Sequence, residues 1–167
     1  MTEKKIIYFG YGANAHKDMI KALIGRAPSG FKAKLKNYSL YIQSWSSIPL
    51  EAKKILEVVW DKNFSSYIAI PKKNGVVWGT AWRMTKKERE IIGEWELHPK
   101  WFIPIKVKVI DEDGNAHEAE TEIIPQSYTR KKAIIEKEYS YFPNNKRKML
   151  KLAKEVRKEY LKKDKKK

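Results

Sequence analysis

The 167-residue chain contains no cysteine, which excludes disulfide bonds, thiolate nucleophiles and cysteine metal sites. Histidine is also scarce. The three histidines, His16, His98 and His117, are scattered along the chain and do not follow the short spacing of metal ligands. We therefore expect no structural or catalytic metal.

Long apolar runs are missing as well. No stretch reaches the length that crosses a membrane, and the charged residues 1–5 lead directly into the first apolar segment, so no signal peptide is apparent. No Gly-, Pro- or Ser-rich linker divides the chain. We expect a cytoplasmic protein with a single domain over residues 1–161 and a basic, disordered tail at residues 162–167.

What the chain does contain is typical of a folded protein: 42% of its residues are hydrophobic and 34% are charged. Lysine, glutamate and isoleucine are abundant, whereas glutamine occurs only at positions 43 and 126. That balance is typical of hyperthermophile proteins.

The formal net charge of +16 is concentrated near the C-terminus, where residues 144–167 hold twelve of the 36 basic residues and three of the 20 acidic ones. This pattern fits either a solvated helix face or an electrostatic footprint for nucleic acid. Because no nucleic-acid-binding motif is recognisable, we favour the solvated face.

Hydrophobic periodicity and turn residues predict a strand at 6–9 and a helix at 16–24 that ends at Gly25. Alternation over 32–43, around a turn near Asn37, indicates a strand pair or one bent strand. A helix is predicted at 50–60, followed by a hairpin whose arms, 67–71 and 76–84, flank a turn at 72–75. A capped helix at 86–92 ends at Gly93. After it we predict a second hairpin, with arms at 101–110 and 116–124, and a last helix beginning at Asn144 or Asn145.

The first strand runs into Gly10-Tyr11-Gly12-Ala13-Asn14. Glycine permits a positive φ or a close backbone approach, and such a turn ahead of a helix can direct several N–H groups toward a carboxylate or an oxyanion. A simple tight turn between strand and helix is the alternative.

Residues 8–14 resemble the Tyr-Gly-Ser-Asn signature of the gamma-glutamylcyclotransferase-like (AIG2-like) family. Two later segments continue the resemblance: Val77-Trp78-Gly79 matches a Val-Trp-Gly-like strand, and residues 92–97 match Leu-Asp-x-Tyr-Glu-Gly in register. The chain departs from these patterns at Ala13, Gly93 and Leu97, which replace Ser, Asp and Gly.

The resemblance implies that Glu96 is the glutamate that transfers the proton, with Glu94 as a rival. It also implies that Tyr11, Gly12, Ala13 and Asn14 hold the glutamyl end of the substrate. Tyr128 is the nearest match to a substrate-binding tyrosine, and Tyr139 and Tyr141 are alternatives.

The fold that follows is α+β, a small, mixed, strongly bent or barrel-like sheet with a few covering helices. The count of strands and hairpins supports it independently, and the absence of strands alternating with long helices argues against a doubly wound sheet.

The implied activity is the cyclisation of a γ-glutamyl amine or peptide, which releases 5-oxoproline and a free amine without a cofactor. A non-enzymatic binding module of the same fold is the alternative, with nucleic acid as its first candidate partner. Trp45, Trp60 and Phe64 either line the pocket, in which case the leaving amine is apolar, or only pack the segment around 44–63 onto the sheet.

Overall fold

The computed structural model describes residues 4–125, 134–136 and 144–166. These residues contain six strands and four α-helices. The strands are β1 (Ile6–Gly10), β2 (Gly30–Ser44), β3 (Ser65–Met84), β4 (Ile103–Asp111), β5 (Ala116–Ile123) and β6 (Ile134–Glu136), and the helices are α1 (Lys17–Ile24), α2 (Leu50–Leu56), α3 (Lys86–Trp95) and α4 (Lys146–Lys165).

The first five strands form a sheet that closes on itself. Their order is β3, β1, β5, β4 and β2, and β2 pairs again with β3. Neighbouring strands are antiparallel except β1 and β5, which are parallel, and β6 pairs with the C-terminal part of β2. The predicted α+β class with a mixed, barrel-like sheet is confirmed.

The predicted hairpin at residues 72–75 is wrong. Both of its proposed arms belong to β3, and both pair with β2 instead of with each other. The Asn74 N–H donates to the Asn37 side chain at 3.2 Å, and both asparagines have φ near +65° (66° and 65°) where the ladder changes register. The Asn-Gly signal therefore marks a bulge opposite Asn37. The two arms form a longer ladder by pairing with β2 than they could form by pairing with each other. The region around Asn37 is one bent strand.

Apolar residues fill the closed sheet and also cover its outside. Phe9, Ala33, Val77, Val109 and Ala119, one from each of the five strands, belong to the interior cluster. A second cluster packs α1, α3 and α4 on the outer face, through Met19, Leu23, Ile92, Met149 and Ala153. A third lies beneath α2 and contains Ile48, Phe64, Ile68, Trp101 and Phe102. The alternation of side chains along the strands produces both the interior and the covered outer face.

Two of the predicted helix ends, those of α2 and α3, are wrong. Helix α3 does not end at Gly93 but continues to Trp95, and the left-handed residue that follows it is Leu97 (φ 56°). Helix α4 continues to Lys165, so the expected disorder from residue 162 is not seen in the described part of that segment. Asp164 forms an ion pair with Lys87 of α3, which attaches the last turn.

The helix predicted at 50–60 ends earlier, at Leu56, whereas α1 and the capping box of Thr85 and Glu88 are found as predicted. Within the described ranges, no helix combines the length and the apolar character needed to span a bilayer.

Candidate functional site

The loop after β1 folds back tightly on the strand that precedes it. A Cβ atom on Gly10 would lie 2.3 Å from the Asn14 carbonyl oxygen, so only glycine permits this approach. The indole N–H of Trp82 donates to the same carbonyl at 2.8 Å, and the Thr80 hydroxyl donates to the Ala15 carbonyl at 2.9 Å. These bonds from β3 fix the backbone of the loop.

Gly12 does not have the positive φ that the sequence suggested, since its φ is −114°. The alternative expectation, a close approach, describes it better, because an added Cβ would lie 3.2 Å from the Cβ of Tyr67. Residues Ala13–Ala15 form one 3₁₀ turn whose first hydrogen bond joins the Ala15 N–H to the Gly12 carbonyl. The N–H groups of Gly12, Ala13 and Asn14 precede that bond and have no partner within the turn.

Glu96 lies directly after α3, where its N–H bonds the Ile92 carbonyl. Its Oε1 accepts a hydrogen bond of 2.7 Å from Asn14 Nδ2, which also donates to the Tyr8 hydroxyl at 2.9 Å. Two segments 82 positions apart in sequence, the loop and the end of α3, therefore meet at one carboxylate.

The surroundings of Glu96 favour its neutral form. Burial raises the pKa of the Glu96 carboxyl, the nearby Glu122 carboxylate raises it further, and Arg89 and the Asn14 hydrogen bond offset part of the effect, which leaves the pKa at about 8. The same burial, followed by the charge of Glu96, holds the pKa of Tyr8 well above its ordinary value. At neutral pH the Glu96 carboxyl can therefore both give and take a proton.

Glu122 is a functional-site residue that sequence reasoning missed. It is only 2% exposed, and its carboxylate contacts Arg89 Nη1 at 2.6 Å and His98 Nε2. On the same strand Glu118 is exposed and Glu120 is partly exposed, whereas Arg89 of α3 covers Glu122. The available signal was Arg89, an arginine next to the apolar stripe of α3, because a buried arginine requires an anionic partner.

Tyr11 is buried, and its hydroxyl donates to the Glu122 carbonyl at 2.6 Å. The Asn14 side chain is 6% exposed, and its Oδ1 has no hydrogen-bond partner among the described residues. A buried, unpaired acceptor next to a carboxyl group is suited to bind an N–H donor of a ligand.

A cavity of about 400 Å³ joins these groups. Tyr11, Gly12, Ala13, Asn14 and Glu96 all line it, as does Glu94 nearer its mouth. The structure thus brings together every predicted site residue that it describes, whereas Tyr128 and its alternatives Tyr139 and Tyr141 lie outside the described residues.

Of the three aromatic residues considered as pocket walls, Phe64 lines the cavity. Trp45 and Trp60 pack against Phe64, with ring centroids 6.2 and 5.0 Å away. In the described parts of the chain, no group of three or more His, Asp or Glu side chains is arranged to hold a metal ion.

No protein-family model and no curated protein matches the sequence. Solved structures do match the fold. A gamma-glutamyl cyclotransferase is similar over 73% of this chain and 68% of its own, with a TM-score of 0.60 and 17% identity. An uncharacterized human protein is similar over 74% and 68%, with a TM-score of 0.59 and 19% identity. A yeast gamma-glutamyl cyclotransferase specific to glutathione is similar over 95% and 97%, with a TM-score of 0.52 and 9% identity. The resemblance indicated by the sequence motifs is therefore confirmed at the level of the fold: this chain has the gamma-glutamyl cyclotransferase-like fold.

Proposed function

We propose that this protein is a gamma-glutamyl cyclotransferase that converts a γ-glutamyl amine or peptide into 5-oxoproline and a free amine. The observation that carries the proposal is the hydrogen bond between Asn14 of the loop and Glu96, at the inner end of a cavity that can hold a small molecule. The shared fold adds support, because cyclotransferases are among the similar structures.

In this reaction the α-amine of the glutamyl group attacks its own γ-carbonyl carbon. The ring C–N bond forms, the bond to the leaving nitrogen breaks, and one proton passes from the attacking nitrogen to the leaving one. A single carboxyl group that first accepts and then donates the proton is sufficient. We assign this role to Glu96, whose pKa of about 8 lies close to that of an α-ammonium group, near 8.

The loop supplies the remaining functions. The N–H groups of residues 12–14, which have no partner within the 3₁₀ turn, would bind the substrate α-carboxylate or the oxyanion that develops on the γ-carbonyl. Asn14 Oδ1, which has no partner among the described residues, would accept a hydrogen bond from the α-amine and direct it toward Glu96. Holding the glutamyl chain in a folded shape removes much of the entropic barrier to ring closure.

The test is release of 5-oxoproline from a panel of γ-glutamyl amines and dipeptides. Glu96→Gln keeps the shape of the side chain but cannot shuttle a proton, so turnover should fall by about two to four orders of magnitude. Glu118→Gln is the matched control, because Glu118 is exposed on β5 and does not line the cavity. Wild-type turnover in Glu96→Gln, or loss of turnover in Glu94→Gln instead, would show that Glu96 is the wrong residue.

A further inference from the structure

The cavity extends well beyond Glu96, toward the surface between α2 and α4. On one side its walls are Leu56, Val59 and Phe64, and on the other Leu152 and Val156. Val59 is 39% exposed. Since a 5-oxoproline ring fills only the inner end, the outer part is available to the group attached to the γ-carbonyl.

The charges along this cavity oppose a second anion. Among the described residues, five glutamates line it (Glu94, Glu96, Glu122, Glu155 and Glu159), together with one basic residue, Lys163 near the end of α4. Glu96 is mostly protonated at neutral pH and Glu122 is paired with Arg89, so the negative charge along the cavity comes from Glu94, Glu155 and Glu159. This local negative charge stands in a chain of net charge +16. Neither Glu94 nor Glu155 forms an ion pair with a described residue. A leaving group with its own carboxylate would therefore lose water without gaining a cationic partner.

We infer that the outer half of the cavity is a leaving-group subsite for apolar primary amines that carry no carboxylate, and that Val59 on the segment after α2 helps to select them. The inference rests on the proposed cyclotransferase function and specifies its substrate class: γ-glutamyl alkylamines rather than γ-glutamyl amino acids.

Three γ-glutamyl compounds separate the contributions of chain length and charge. The n-pentylamide and the norleucine derivative differ only by the α-carboxylate, and the methylamide lacks four methylene groups. Burying those methylenes should raise kcat/KM for the pentylamide over the methylamide by about 10- to 100-fold. The norleucine compound should be at least about tenfold poorer than the pentylamide.

The variants test the subsite itself. Val59→Ser should narrow the ratio of pentylamide to methylamide activity by about fivefold, since it makes one apolar wall polar. Val58→Ser is the matched control, because Val58 is 80% exposed and does not line the cavity, and it should keep the wild-type ratio. The pentylamide and methylamide activities are compared within each protein, so a loss of folded protein lowers both equally and leaves their ratio unchanged.

Failure of this inference can be distinguished from failure of the proposed function. If the norleucine and methylamide derivatives are cleaved with the same kcat/KM as the pentylamide, the cyclotransferase stands and the subsite is refuted. Binding to Glu96→Gln protein, measured by calorimetry, is the second readout. A second case is that the wild type cleaves none of the three compounds, yet the pentylamide binds more tightly than the other two and Val59→Ser removes that preference. The subsite then stands and the cyclotransferase is refuted. Equal binding of all three compounds, with no turnover, refutes both.

Discussion

The Glu96 carboxyl combines a partly buried position, a neighbouring carboxylate and one strong donor, and these features make its protonation depend on pH near neutrality. With a pKa of about 8, the basic form that accepts the proton of the attacking amine becomes dominant only above that pH. We expect kcat/KM for 5-oxoproline release to rise about tenfold per pH unit below 8 and to level off above it. A profile already flat from pH 6 would contradict the role of Glu96 as the base.

The same carboxyl affects stability. In the folded protein it is protonated up to about pH 8, whereas in the unfolded chain it ionises near 4.3. Between about pH 4.3 and pH 8, folding therefore takes up a proton at Glu96. Because of this uptake, the free energy of unfolding falls as the pH rises through that window. The fall levels off above pH 8. Glu96→Gln should raise the Tm, by more at pH 8 than at pH 5, in thermal melts. An equal Tm difference at both values would contradict the raised pKa.

Leu97 shows what one departure from the family pattern does. The pattern has glycine here, and Leu97 has φ 56°, a left-handed conformation that costs a residue with a Cβ about 1–2 kcal/mol. Its side chain packs against the cluster beneath α2, which offsets part of that cost. Leu97→Gly should therefore change the free energy of unfolding by less than about 2 kcal/mol, compared with about 2–5 kcal/mol for truncating a buried leucine. Urea titration measures the difference, and Leu23→Ala, at a fully buried position, is the comparison.

Gly93, the other departure, also has a local reason. A Cβ atom here would lie 2.8 Å from Nδ1 of His98, the residue whose Nε2 reaches Glu122. The aspartate of the family pattern would displace that ring. The two departures from the family pattern, at Gly93 and Leu97, thus belong to a local arrangement in which His98 lies against α3.

At the scale of elements, one buried ion pair connects α3 to β5. Arg89 contacts Glu122 at 2.6 Å and Glu120 at 3.1 Å, and Arg89 and Glu122 are almost completely buried. Among the described residues, Glu122→Gln leaves Arg89 with the partly exposed Glu120 as its one ion-pair partner, so we expect a loss of about 3 kcal/mol in the free energy of unfolding. It should also lower the pKa of Glu96 by removing the neighbouring charge, and move the pH profile of 5-oxoproline release to lower pH.

Glu118→Gln, on the same strand but exposed, should change neither stability nor pH profile. If Glu122→Gln is as stable as the wild type, the ion pair contributes nothing net to the fold. An unmoved profile in a folded variant would mean that Glu122 does not influence the protonation of Glu96.

The loop and β1 form the second element-scale unit, and here Gly10 matters more for stability than Gly12. Gly10→Ala should be severely destabilising, because its Cβ would overlap the Asn14 carbonyl, which cannot move without losing the Trp82 bond. Gly12→Val should be milder in thermal melts, since its nearest neighbour is a side chain at 3.2 Å. The reverse order would contradict this account of the loop.

Local sequence signals predicted most elements because they depend on near neighbours. The capping box at Thr85, the C-cap glycine of α1 and the final hairpin were all correct for that reason. Predictions failed, or were not made, where a distant partner decided the outcome. The Asn-Gly bulge depends on β2, the burial of Glu122 depends on α3, and the left-handed turn of Leu97 follows from packing beneath α2. Glu96 was assigned through the resemblance, and its meeting with Asn14 depends on the closed sheet.

At the scale of the whole molecule, negative and positive side chains lie in different places. The charged side chains that line the cavity are mainly carboxylates, whereas α4 carries most of the C-terminal lysines on its exposed face. If this surface bound nucleic acid, the affinity for single-stranded DNA would fall steeply with salt and weaken on truncation before Lys162. We expect no binding above about 100 mM salt, measured by fluorescence anisotropy. Tight binding that persists at that salt would favour the binding-module alternative.

The parallel pairing of β1 with β5 has a consequence for how the protein is made. β1 is synthesised long before its second neighbour β5, which ends at Ile123, and Tyr11 finds its acceptor on Glu122. Until then β1 has a single partner and the loop lacks one of its anchors. The ligand-binding end of this protein is therefore assembled only after the 111 positions that separate Tyr11 from Glu122 have been synthesised, and a ribosome-stalled fragment that ends before Glu122 lacks the complete site.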